Sequence, residues 1–141
     1  MFRHVGIVVN DLERQLYFYR DLLGLDIMYH EIECDSFLER ILSITDVNIE
    51  IYKLGYCGQT IVELLKYNFP QCNQVNNENR FNNFGINHFA ITVSDIEKTY
   101  DKLSKNGVLF VSPPTKNKKE THMVCFCRDF ESNFIEIVQP L

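Results

Sequence analysis

The residues of this chain that are best suited to chemistry are two histidines and two glutamates, which recur at matching places in its two halves. His4 opens a strand-like stretch near the start, and His88 opens a similar stretch in the second half. Later in each half a glutamate, Glu63 or Glu136, stands in an apolar run. Imidazole nitrogens and carboxylate oxygens are ligand types that divalent metals take. The repeat therefore predicts that the four side chains lie on one concave surface, where they could bind a metal.

Both glutamates share their strand faces with apolar side chains. Because side chains alternate along a strand, Glu63 points to the same side as Ile61 and Leu65. Glu136 stands in the same kind of surroundings. A carboxylate among apolar neighbours is costly to bury unless a metal, a cation or a proton neutralises it. No lysine or arginine lies nearby in sequence on the strand face of either glutamate.

Each half has the pattern of one β-α-β-β-β module. A strand that begins near the histidine is followed by a helix with a predicted N-cap, Asn10 in the first half and Ser94 in the second. The predicted strands cover 3–9, 25–34, 47–54 and 59–66, and then 86–93, 108–111, 122–127 and 133–138. We therefore expect an α+β fold, a single domain over 1–141 with a curved, open eight-stranded sheet. Its predicted parts are module 1 (1–67), an asparagine-rich linker (68–84) and module 2 (85–141).

Composition narrows the classes of partner. Of the 141 residues, 45% are hydrophobic and 23% are charged, which is typical of a globular protein. A net charge of -5 argues against a nucleic-acid partner. No apolar run is long enough for a membrane span and no signal pattern opens the chain, so we expect no membrane partner and a cytoplasmic protein. The five cysteines lack C-x-x-C spacing and are expected to be reduced core thiols.

Four segments, 4–25, 61–65, 85–96 and 128–140, resemble the vicinal oxygen chelate superfamily, and the resemblance covers essentially the whole chain. That superfamily includes glyoxalase I, methylmalonyl-CoA epimerase, extradiol dioxygenases and the fosfomycin and bleomycin resistance proteins. The resemblance implies that His4, Glu63, His88 and Glu136 are the metal ligands. Extradiol dioxygenases do not use the position of Glu63, and the bleomycin-binding members lack the metal. The complete set therefore resembles glyoxalase I most, with the epimerase close to it.

The resemblance also implies a chemistry. A divalent ion, which the sequence does not resolve among nickel, cobalt, zinc and iron, would stabilise the enolate or enediolate of a small oxygen-chelating substrate. Glu136 or Glu63 would be the catalytic base in a lyase or isomerase reaction, and we expect a homodimer. Val8 and Tyr67 depart from the glyoxalase I residues that hold glutathione. The alternatives are an epimerase, an extradiol dioxygenase and a non-catalytic protein that binds a small molecule.

Overall fold

The computed structural model describes residues 2–73 and 80–141. The chain divides into two compact units, Met1–Asn76 and Asn77–Leu141. Residues 74–79, which belong to the predicted linker 68–84, lie outside the described residues. In each unit the first strand pairs in parallel with the last strand, as a β-α-β-β-β module requires.

The first unit is a four-stranded sheet with the strand order β1-β4-β3-β2. Its elements are β1 (Val5–Val8), α1 (Leu12–Leu16) continued by a π-helical segment (Tyr17–Leu22), β2 (Asp26–Glu33), α2 (Ser36–Leu42), β3 (Asn48–Tyr56) and β4 (Gln59–Phe69). Strand β1 is parallel to β4, and the β2–β3 and β3–β4 pairs are antiparallel. The helix α2 was not predicted. It begins after Asp35, whose side chain accepts the N–H of Leu38 at 2.8 Å, and Leu38 packs on the sheet beside Ile49.

The second unit repeats this plan around a five-stranded sheet. Its elements are β5 (His88–Thr92), α3 (Ile96–Lys105), β6 (Leu109–Phe110), β7 (Thr115–Lys116), β8 (His122–Arg128) and β9 (Phe134–Pro140). The strand order is β5-β9-β8-β6, and β7 also pairs with β8. The short strand β7 lies within a segment that the sequence pattern left without regular structure.

The prediction of an α+β fold built from tandem modules is confirmed. The described strands differ from the predicted single sheet of eight, because their hydrogen bonds join them into one sheet of four and one of five. Within each module, the described strand pairs join only strands of that module. The additional strand, β7, pairs with β8 in the second module.

Two helix N-caps lie one residue later than predicted. Asp11 rather than Asn10 caps α1, and Asp95 rather than Ser94 caps α3. Each aspartate accepts the backbone N–H three residues ahead, at 3.1 and 3.0 Å. A carboxylate is favoured there because it carries a full negative charge at the positive end of the helix. Among the described residues, no helix has the length and apolar composition needed to cross a membrane.

The prediction of core thiols is confirmed for two cysteines only. Cys125 and Cys127 are buried, and burial raises the pKa of their thiols to about 11 and about 12. The prediction is wrong for Cys34, Cys57 and Cys72, which are free and exposed. These three cysteines do not lie on the apolar faces of the strands, so the core does not cover them.

Candidate metal centre

In the first unit, two neighbouring parallel strands bring His4 and Glu63 together. Gly6 of β1 lies opposite Glu63 of β4, and His4 precedes Gly6 by two residues, so alternation places it on the same face. The Nε2 atom of His4 lies 3.1 Å from Oε2 of Glu63. The two side chains are 28% and 15% exposed, so the pair is open to solvent on one side.

The second unit repeats this arrangement with His88 and Glu136. Ala90 of β5 lies opposite Glu136 of β9, and His88 precedes Ala90 by two residues. Nε2 of His88 lies 3.4 Å from Oε2 of Glu136. On the other side of the ring, Nδ1 lies 3.0 Å from Oδ1 of Asn87. An oxygen acceptor at this place favours a proton on Nδ1, which leaves the Nε2 lone pair available to a metal.

The spacing of the donor atoms fits a divalent metal. Bonds of ~2.1 Å place two donors ~3.0 Å apart at a right angle and ~3.4 Å apart at a tetrahedral angle. The measured N–O separations are 3.1 Å in the first unit and 3.4 Å in the second. Mixed imidazole and carboxylate ligands also suit first-row divalent ions. Each unit therefore provides one pair of donors that fits half of a four-ligand site.

Each pair is incomplete by itself. Over residues 2–73 and 80–141, no group of three or more His, Cys, Asp and Glu side chains is placed so that it could hold a metal ion. The joint use of His4, Glu63, His88 and Glu136 by one ion stays a prediction.

The first unit adds a cation that the sequence analysis did not find. Lys53 of β3 lies directly opposite Glu63 of β4, and its Nζ atom lies 3.4 Å from Oε1 of Glu63. The sequence prediction rested only on neighbours of Glu63 along the chain, and Lys53 reaches this glutamate from the next strand. A cross-strand neighbour depends on the register of the hairpin, which a search along one strand does not reach.

Lys53 is itself held by an aromatic neighbour. Tyr29 of β2 lies opposite Lys53, whose Nζ is 4.9 Å from the centre of the tyrosine ring. The Tyr29 hydroxyl donates to Glu31 and, at 3.2 Å, to Glu33. These hydrogen bonds, the one to Glu31 first, raise the pKa of Tyr29. A polar row thus runs across the sheet from the histidine to the edge strand.

The equivalent position in the second unit is aromatic. Phe126 of β8 lies opposite Glu136, where Lys53 lies opposite Glu63. Its ring packs edge-on against His88 with a centroid distance of 5.1 Å, and against Phe81 at 4.9 Å. Among the described residues, His88 is the basic side chain that lies next to Glu136, with Nε2 3.4 Å from Oε2. Each carboxylate therefore lies beside the histidine of its own unit, but the cross-strand neighbour is a lysine for one and a phenylalanine for the other.

Two relatives match nearly the whole chain and are themselves of similar length to it. The uncharacterized protein YraH of Bacillus subtilis is 29% identical over 140 residues, which are 97% of this chain and 96% of that protein. A protein named probable lactoylglutathione lyase from Synechocystis sp. is 26% identical over 136 residues, which are 96% of this chain and 92% of that protein.

Comparison with solved structures and with family models agrees with the fold. A glyoxalase family protein from Bacillus cereus superposes with a TM-score of 0.89 at 20% identity, over 99% of this chain and 93% of that one. The model of the glyoxalase/bleomycin resistance protein/dioxygenase superfamily matches residues 2–137. This match includes all four candidate ligands. The chain belongs to the glyoxalase/bleomycin resistance protein/dioxygenase superfamily.

Proposed function

We propose that this protein is a divalent-metal-dependent lyase or isomerase of the glyoxalase I type, which acts on a small substrate with two adjacent oxygen atoms. The observation that carries the proposal is the matched pairing of imidazole and carboxylate, at 3.1 Å in one unit and 3.4 Å in the other. The relative from Synechocystis sp., named probable lactoylglutathione lyase, supports the same class of reaction.

The proposed metal ligands are His4, Glu63, His88 and Glu136. When bound, a divalent ion supplies an electrophile that stabilises the negative charge developing on the substrate oxygens as a neighbouring C–H bond loses its proton. The histidines provide neutral donors, and the two carboxylates balance the charge of a dication. The contact of His88 with Asn87 helps to keep this ring oriented with Nε2 toward Glu136.

We propose Glu136 as the group that takes the proton. A general base has to approach the substrate carbon, so it needs a carboxylate oxygen that is not already held. Both oxygens of Glu63 have partners, Lys53 on Oε1 and His4 on Oε2. Glu136 is paired only through Oε2 among the described residues, and its side chain is 24% exposed. Return of the same proton to the adjacent carbon completes an isomerisation.

The first test is a substrate panel on protein reconstituted in turn with nickel, cobalt, zinc and iron. The panel contains hemithioacetals of several thiols, 2-methyl-branched acyl-CoAs and catechols, because Val8 and Tyr67 leave the thiol carrier open. We expect turnover of a substrate with an acidic C–H bond, with solvent deuterium entering at that carbon. Oxygen uptake with a catechol and iron would contradict the proposal in favour of ring cleavage. Metal-free protein that binds a small molecule without turnover would favour a sequestering protein.

A further inference from the structure

We propose that Lys53 is a positioning residue of the metal site, which holds one oxygen of Glu63 so that this glutamate binds the metal through the other oxygen only. The inference rests on the proposed function, because it takes Glu63 as a metal ligand. It concerns a residue outside the four-ligand set, and it assigns a role to the polar row of the first unit.

The contacts of Glu63 divide its two oxygens between two partners. Oε1 lies 3.4 Å from Nζ of Lys53, and Oε2 lies 3.1 Å from Nε2 of His4. The Glu63 side chain is 15% exposed, so its contact with the ammonium group is less screened than a surface ion pair. An ammonium group on Oε1 therefore disfavours a rotation of the carboxylate that would present both oxygens on the side of His4.

Lys53 is suited to this role because it is restrained from the opposite side. Its Nζ lies 4.9 Å from the ring centre of Tyr29, and the hydroxyl of Tyr29 donates to Glu33 at 3.2 Å. A lysine side chain held between an aromatic ring and a carboxylate is positioned more precisely than a free lysine on the surface. The ammonium group is thus held on the side of Glu63 away from His4.

The consequence follows from a count of ligand atoms. A six-coordinate divalent ion with four single-atom protein ligands keeps two positions, which is the number that two adjacent substrate oxygens require. A carboxylate that supplied both oxygens would take one of these positions. Holding Oε1 away therefore keeps room for a chelating substrate.

The second unit has a different kind of residue at the matching position. Phe126 occupies the place opposite Glu136 that Lys53 occupies opposite Glu63. An aromatic ring cannot donate hydrogen bonds to a carboxylate oxygen, so the position of Oε1 of Glu136 is not set in this way. Lys53 is therefore specific to the first module and is not a general feature of the repeat.

The test uses cobalt(II) as the metal probe and acetohydroxamate as a probe that binds through two adjacent oxygens. Wild type, Lys53→Met, Lys53→Gln and Lys53→Arg are compared for cobalt affinity by calorimetry, for the visible cobalt spectrum and for hydroxamate affinity of the loaded protein. Lys105→Met is the control, because it removes a lysine from the exposed end of α3. Circular dichroism verifies that each variant is folded, and Lys53 is 32% exposed, so neutral substitutions should be tolerated.

We expect Lys53→Met and Lys53→Gln to bind cobalt more tightly, by about tenfold, because a positive charge near the dication is removed and Glu63 gains freedom to supply both oxygens. The cobalt spectrum should change, and hydroxamate should bind about tenfold more weakly. Lys53→Arg should keep the wild-type spectrum. A wild type that fails to bind cobalt would overturn the proposed function and this inference together. A cobalt-binding wild type whose neutral Lys53 variants match Lys105→Met in spectrum and hydroxamate affinity would overturn the inference alone.

Discussion

Each unit places an imidazole and a carboxylate on its own pair of parallel strands, but the two units differ at the residue opposite the carboxylate. Lys53 faces Glu63 in the first unit, and Phe126 faces Glu136 in the second. The shared part, an imidazole nitrogen within 3.1 or 3.4 Å of a carboxylate oxygen, suits metal binding. In the proposed site, the differing residue sets how freely each carboxylate can move. A duplicated module can therefore keep its ligand geometry while one neighbouring strand gives its two carboxylates different tasks.

In the proposed function, Glu63 is a fixed ligand and Glu136 transfers the proton. A cation on one oxygen stabilises a fixed, ionised carboxylate, which suits a permanent ligand. Phe126, which lies opposite Glu136 in the β8–β9 register, provides no such restraint.

The largest effect is expected from Glu136→Gln. This change keeps the shape and one ligand oxygen but removes the basicity, so kcat should fall by ~10² or more while metal is retained. Glu63→Gln is the matched variant, which should mainly weaken metal binding and change kcat much less at saturating metal. Exchange of the acidic substrate hydrogen with solvent, measured together with metal content, separates the two effects. An equal loss of kcat in both variants at saturating metal would remove the proposed division of tasks.

Metal removal should lower the melting temperature. Binding to the folded state alone adds RT ln(1 + [L]/Kd) to the free energy of unfolding, which is about 2.7 kcal/mol at 100 times Kd. Calorimetric melting curves of chelated and reloaded protein measure the difference. The variants His4→Ala and His88→Ala test whether the two units bind one ion together. If they do, each substitution should abolish most of the rise in melting temperature that metal causes. An unchanged curve after verified removal of metal would contradict a well-occupied site.

A smaller effect is expected from Phe126→Lys, which gives the second unit the charge that the first already has. The new ammonium group should restrain Glu136, and kcat measured at saturating metal should fall by about tenfold. Phe126→Met is the control, since it also removes the ring contacts with His88 and Phe81 but adds no charge. Equal rates for the two variants would show that the residue opposite the carboxylate does not control the base.

The sequence could predict the pairs of neighbours within each module but not the position of Lys53. The pairs depend on local strand alternation and on the repeat, which are both visible in one chain. The β3–β4 register contains an irregularity between Leu54 and Gly55. Gly55 lies opposite Thr60, and regular counting from this pair would place Tyr52, not Lys53, opposite Glu63. A search along one strand does not reach Lys53, and even a regular count across the hairpin would have missed it, because the bulge shifts the pairing by one residue.

The helix α2 escaped prediction for a different physical reason. It is only seven residues long, and its apolar residues do not form one covered face. Leu38 is buried, but Phe37 and Ile41 are each 58% exposed. Apolar residues do recur at helical spacing, at 37, 38, 41 and 42, but about two turns are too short for this pattern to identify a helix. The aspartate before the segment, a good N-cap, was the other local signal.

The smallest predicted effect concerns the charge of the N-cap Asp95 of α3 in the second unit. The backbone N–H of Lys98 bonds to this carboxylate and, with the Lys98 side chain, holds the pKa of Asp95 below its usual value. A depressed pKa in the folded state means that the ionised group stabilises the fold above the unfolded pKa, and that this stability is lost as the pH falls through the folded pKa. Asp95→Asn keeps a capping oxygen and removes the charge, so Tm should decrease slightly at neutral pH. The difference in Tm between wild type and variant should shrink as the pH is lowered from about 5 to about 2. Melting curves over this range measure it, with Asp101→Asn on the same helix as the control for a general change in charge. A difference that stays constant over the pH range would show that the charge of Asp95 does not stabilise the second unit.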